Sequence, residues 1–242
     1  MTFHGSDWFL LSPELFLTSA GMLILALSVF VKKEHEEFLG FLSLIMVVVT
    51  LALLAVVAAA PARHSGPILA GMFVVDNFAI FFKVVILLSI VLTILASIGF
   101  VGAAPYPAGE YYALLLFAGV GMLFMVSGSN LIAIYVALEL MALSSYVLAG
   151  YFKGQIKSTE AALKYFILGA FSSAVLLYGL SLVYGVGGKL GLTDLGRCTR
   201  GRSGRTSSSS GSCSCWPASS SRSPPCRSTS GRRTSTRAPR RP

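Results

Sequence analysis

Six apolar runs, each close to the thickness of a bilayer's hydrocarbon core, leave this chain few folds to choose from. They extend from about Leu11 to Val31, Phe38 to Ala60, Val74 to Phe100, Tyr111 to Val126, Leu131 to Tyr151 and Thr159 to Tyr184. A helix of about 20 residues crosses roughly 30 Å of hydrocarbon. Between the runs fall KKEHEE, PARHSGP, GAAPYPAGE, SGSN and KGQIKS, each a place to break a helix and turn the chain. A soluble domain that is 55% hydrophobic, in stretches this long, would aggregate. In lipid, where the backbone must satisfy its own hydrogen bonds, such runs become helices. The expected fold is an all-α membrane protein of six spans. The first run does not read as a cleavable signal peptide: it lacks a basic leading segment and opens on Ser12-Pro13-Glu14, a good helix start.

The formal net charge of +9 hides two unlike regions. Residues 1–196 carry eight basic side chains and all ten acidic ones, a net of −2. The other eleven basic residues are all Arg, between Arg197 and Arg241, and all four Cys (Cys198, Cys213, Cys215, Cys226) lie there too. The membrane region, residues 1–190, therefore needs neither a disulfide nor a Cys-ligated metal. From 197 to 242 there is no acid, no Lys, and no Leu, Ile, Val, Phe or Met, and fourteen residues are Ser. That stretch cannot bury a core, and disorder is expected. It reads as an out-of-frame stretch of a GC-rich gene ahead of a basic arm for nucleic acid or anionic lipid. Cys213 and Cys215 have no second pair at metal-site spacing.

Loop charge orients the bundle. With the N-terminus outside, the cytoplasmic loops carry Lys32, Lys33, Lys153 and Lys157, against Arg63 and Lys189 outside, as the positive-inside rule favours.

Within the spans, ionisable residues are the candidates for function, because a charge at mid-membrane costs at least about 2.5–3.5 kcal/mol on insertion scales. Glu139 lies roughly 12 Å into the fifth run, near the midplane, and reads as a proton-binding or ion-pairing carboxylate ahead of a helix–helix clamp. Lys164 lies roughly 7–8 Å into the sixth run. Glu160, one turn before it, is a ready partner, and snorkelling to the interface competes evenly with function. Lys83 lies deep enough in the third run to need a partner. Asp76, at that run's outer edge, suits an N-cap. Glu14 reads as interfacial. Ser172, Ser173, Gly119 and Gly121 suit close helix packing. His4, His35 and His64 have no metal-ligand spacing, and no phosphate-binding glycine loop appears. Burial favours the neutral forms of acids and bases alike, which suits groups that trade protons.

The stretches LELMALSSYVLAGY and STEAALKYFILGAFSSAVLLYGLSLVYG, with SPELFL and VVDNFAIFFKVV before them, resemble the proton-pumping antiporter-like subunits of respiratory complex I. Among these the likeness is to the subunit N branch, the equivalent of mitochondrial NADH dehydrogenase subunit 2. Leu138 stands before Glu139 where related subunits and cation/proton antiporters usually place a Trp. The likeness covers about residues 8–190. It implies that Glu139 matches the family's helix-5 Glu and Lys164 a functional Lys at the start of helix 6, with Lys83 a weaker candidate for proton translocation. It implies a fold of about fourteen helices in two inverted repeats, of which these six spans would be the N-terminal part, truncated within the first repeat. It implies a place in the membrane arm of NADH-quinone oxidoreductase, in contact with other membrane-arm subunits and the bilayer and with no nucleic acid. The implied setting is the bacterial inner (plasma) membrane. No cofactor is expected in this chain: NADH, FMN, iron–sulfur clusters and quinone would be handled in other subunits. A cation/proton antiporter or membrane hydrogenase subunit, and an inactive membrane scaffold, are the competing readings.

Overall fold

The computed structural model describes residues 5–30, 36–59, 68–69, 71–101, 108–188, 190–193 and 195. Residues 211–242 separate as a second unit, and the Arg- and Ser-rich stretch lies outside the described residues, as do His4, His35 and His64 and the loop charges Lys32, Lys33, Arg63 and Lys189.

Among the described residues the chain forms seven helices: α1 (Gly5–Leu10), α2 (Ser12–Phe30), α3 (Glu36–Ala59), α4 (Asn77–Val101), α5 (Ala108–Ser127), α6 (Leu131–Ala149) and α7 (Ile156–Gly187). All but the short α1 are long and apolar enough to cross a membrane. The protein is a multi-pass membrane protein. Pro13 sits one residue into α2, where a missing N–H costs nothing. Asn130 caps α6, its side chain accepting a hydrogen bond from the Ile132 amide at 3.0 Å. Gly188 closes α7 in the left-handed region, φ 62°, and its amide donates to the Tyr184 carbonyl.

Helix α5 is the centre of the bundle: α2, α3, α4 and α6 all pack on it, and α7 packs on α6. Tyr112, Leu116, Val120 and Leu123 of α5 lie buried with Leu17 and Ile24 of α2, Val47 and Leu54 of α3, and Leu87, Ile90 and Ile94 of α4. A methyl at Gly121 would fall 2.7 Å from both the Ala137 carbonyl oxygen and the Met141 amide nitrogen. The backbones of α5 and α6 thus touch there, as small residues permit in membrane helices.

The α2, α4 and α6 N-termini and the α3, α5 and α7 C-termini share one end of the bundle, which is closed by loops. Val74 donates to the Ser127 carbonyl, Ser129 to the Met72 carbonyl, Leu131 to the Leu190 carbonyl and Leu192 to the Ser129 carbonyl. This mesh holds Val74 outside the helix, and α4 begins at Asn77, three residues later than the apolar run.

Candidate functional site

Glu139 is the ninth residue of the nineteen in α6, at mid-helix. Ala137 and Met141, two residues either side, face the Gly121 contact with α5. Two residues of helix turn through about 200°, so Glu139 points the other way. There α7 brings Ser173, whose hydroxyl donates to Glu139 Oε2 at 2.9 Å. Ser173 is buried and Glu139 half-buried. Seven residues along α6, Tyr146 is buried against α7, its hydroxyl lying where a methyl on Gly169 would stand, 1.9 Å away. Gly169 and Ser173, one turn apart, form the α7 face that meets α6.

A serine hydroxyl donates and accepts. It can hydrogen-bond to the Glu139 carboxylate as donor and to the protonated acid as acceptor. The pair therefore keeps a hydrogen bond in both protonation states, which suits a group that gains and loses a proton inside a membrane.

Lys164 does not join this site. It precedes Ser173 by nine residues, about half a turn out of phase, so it lies on the opposite face of α7. Its ammonium pairs with Glu160 one turn earlier, and the two side chains are 69% and 57% exposed. Ser172 donates to the Gly169 carbonyl on its own helix and is exposed. By sequence alone Ser173 suits close helix packing. A serine in an apolar run carries no mark of the carboxylate it will meet 34 residues away.

Lys83 does find a partner, and it corrects the reading of Glu14 as interfacial. The Lys83 ammonium bonds Glu14 Oε1 in an ion pair whose side chains are 1% and 0% exposed. Ser127 Oγ approaches the same oxygen at 3.5 Å, and Glu14 Oε2 has no hydrogen-bond partner. Asp76 is exposed just before α4, where its backbone carbonyl accepts from the Ile80 amide. Among the described residues no group of three or more His, Cys, Asp or Glu converges in a way that would hold a metal ion.

A sequence model for the family described as NADH:quinone oxidoreductase/Mrp antiporter, TM, matches residues 128–213, which include α6, α7, Glu139 and Ser173. NADH-quinone oxidoreductase subunit N 2 of Rhizobium meliloti is 42% identical over 200 residues, 82% of this chain and 40% of the relative. NADH-quinone oxidoreductase subunit N of Trichlorobacter lovleyi is 42% identical over 181 residues, 73% of this chain and 35% of that protein. The chain belongs to the NADH-quinone oxidoreductase subunit N family. It spans about two fifths of the length of these relatives. The fold agrees: a chain of respiratory complex I from Thermus thermophilus with bound aureothin superposes with a TM-score of 0.59 at 29% identity, covering 74% of this chain and 38% of that one. The antiporter-like membrane-arm architecture expected from the sequence is thus present.

Proposed function

We propose that this chain serves as a proton-translocating membrane-arm subunit of NADH-quinone oxidoreductase, with Glu139 as its proton-exchanging group. The observation that carries the reading is the mid-helix carboxylate of Glu139, half-buried between α6 and α7 and hydrogen-bonded to Ser173. A carboxylate at that depth is costly unless it works or is paired, and the partner given to it is a neutral hydroxyl that serves both protonation states. The chain's part is to hold and pass a proton. Electron transfer from NADH to quinone, with its FMN and iron–sulfur clusters, is assigned to other subunits, and the coupling between them is conformational and electrostatic.

Lys164 and Glu160 lie on the outward face of α7, toward its cytoplasmic end. This exposed ion pair is where the proton path meets the surrounding protein or the interface. The setting is a bacterial inner membrane, N-terminus outside, with the Lys153–Lys157 turn in the cytoplasm; the loop charges support that orientation. Other membrane-arm subunits are the partners.

The test is Glu139→Gln in the oxidoreductase assembled around this chain. The shape is kept and the titratable group removed, so proton pumping in inverted membrane vesicles should fall severely while the complex still migrates intact on a native gel. Glu139→Asp should be milder. Equal loss of pumping and assembly would make Glu139 a structural clamp and refute the reading.

A further inference from the structure

The ion pair of Glu14 and Lys83 is the largest charge investment in the bundle, and the proton path through Glu139 does not use it. Glu14 and Lys83 are the only buried charged side chains among the described residues. Three helices meet at the pair, and each places a polar residue between two apolar layers. Leu10, at the end of α1, and Leu11, between α1 and α2, precede Glu14, and Leu17 of α2 follows. In α4, Ile80 precedes Lys83 and Leu87 follows. In α5, Leu123 precedes Ser127, beyond which the loop mesh begins. The outer layer is Leu10, Leu11, Val57, Ile68 and Val75, with Phe73, Ile80 and Phe124 packed on it. The inner layer is the main core. A lysine side chain leans toward its helix N-terminus, which carries the Lys83 ammonium back to the level of Glu14.

One carboxylate oxygen is left over. Glu14 Oε1 takes the ammonium and has Ser127 Oγ 3.5 Å away, while Oε2, fully buried, has no partner. A pair built only to pin helices would have both oxygens engaged, because an unsatisfied buried acceptor costs about 1–3 kcal/mol. An oxygen with no donor is the atom where an arriving proton can bind. The other titratable groups on α3, α4 and α5 lie away from it. Asp76 is exposed at the head of α4, and Glu110 and Tyr111 are at the far end of α5, roughly 25 Å from Ser127 by helix rise. Glu36 and Glu37 begin α3 at that same far end, and Asp7 lies in α1.

We infer that Glu14, Lys83 and Ser127 form a second proton-binding site, separate from Glu139, in which Oε2 of Glu14 takes up one proton and the ion pair opens. The balance is simple. The Glu14 carboxylate and a proton give the neutral acid; the Lys83 ammonium keeps its proton and its charge, with the Ser127 hydroxyl beside the pair, 3.5 Å from Glu14 Oε1. The site gains one positive charge under the apolar cap. The reading does not depend on the role of Glu139.

Infrared difference spectra of the whole chain in liposomes, taken as pH is lowered, test it. They should show a carboxylic-acid C=O band from a buried group that vanishes in Glu14→Gln and returns at a displaced frequency in Glu14→Asp. In Lys83→Met an unpaired buried carboxylate is the costlier state. The intensity of that band should therefore change in Lys83→Met. Circular dichroism on each variant shows that the helices remain. If Glu14→Gln does not fold, Lys83→Met and Glu14→Asp still decide the matter. A band unchanged in intensity and frequency in every folded variant leaves Glu14–Lys83 a static pin and overturns the inference. Because the measurement needs no oxidoreductase activity, it can fail while the role of Glu139 stands.

Discussion

The contact between α5 and α6 makes a sharp prediction from two glycines two residues apart. At Gly121 an added methyl would meet the Ala137 carbonyl oxygen and the Met141 amide nitrogen at 2.7 Å and Met141 Cβ at 3.0 Å. Ordinary contact begins near 3.4 Å, so α6 would have to move by about 0.7 Å, the difference between 3.4 and 2.7. Both close atoms are backbone and have no rotamer to change. At Gly119 the added methyl would meet Ile90 Cδ1 at 2.4 Å, but the next atom is 3.6 Å away and the clash is with the tip of a rotatable side chain. Overpacking of a rigid contact costs about 1–3 kcal/mol, and moving an isoleucine off its rotamer about 0.5–1.5 kcal/mol. Each substitution also gains about 0.8–1 kcal/mol of helix propensity. Gly119→Ala should therefore be close to neutral, and Gly121→Ala should destabilise by up to about 2 kcal/mol. Unfolding of the chain in mixed micelles by increasing dodecyl sulfate, followed by circular dichroism, gives both midpoints. Equal midpoints for the two variants, or a worse one for Gly119→Ala, would refute the backbone contact as the tight point of the bundle.

Three further outcomes follow from particular contacts. Ser173→Ala removes the hydroxyl that meets Glu139 Oε2; a hydrogen bond to a charged group is worth about 1.5–3 kcal/mol, so pumping in vesicles should fall measurably but less than in Glu139→Gln, with assembly on a native gel intact. Asn130→Ala removes the side-chain cap on the Ile132 amide and should cost about 1 kcal/mol in the same micelle titration. With the four native cysteines replaced by serine, a cysteine placed at Lys153, the exposed turn before α7, should react with a membrane-impermeant thiol reagent only from the cytoplasmic face; reaction from outside would invert the proposed topology.

Much of the architecture was legible in the sequence because lipid demands long apolar helices and the chain supplies six. The ends were less so, since they depend on local turns. Val74 looks like the start of a span, but its amide bonds the Ser127 carbonyl and it stays outside the helix, which begins at Asn77. Lys157 and Ser158 hide the start of α7 at Ile156, because polar residues in a first turn carry no hydropathy. The six residues of α1 are too few to register as a span. Glu139 stood out as a charge with no excuse for its depth. Its partner did not, because a serine forecasts nothing about what will face it. Lys83 announced a need for a counter-charge but could not say which residue met it. Glu14 seemed committed to the interface by its position at a helix start, and only the fold covers that start with α1 and the cap around Ile68.

Two carboxylates in this bundle therefore meet two different kinds of partner, and the contrast bears on how each can work. Glu14 faces the Lys83 ammonium through one oxygen, and its other oxygen has no hydrogen-bond partner. Glu139 faces the Ser173 hydroxyl, which can donate to a carboxylate or accept from its protonated form. Helix α5 runs between them, with Ser127 beside Glu14 at its end and Gly121, less than two turns back, against the stretch of α6 that carries Glu139.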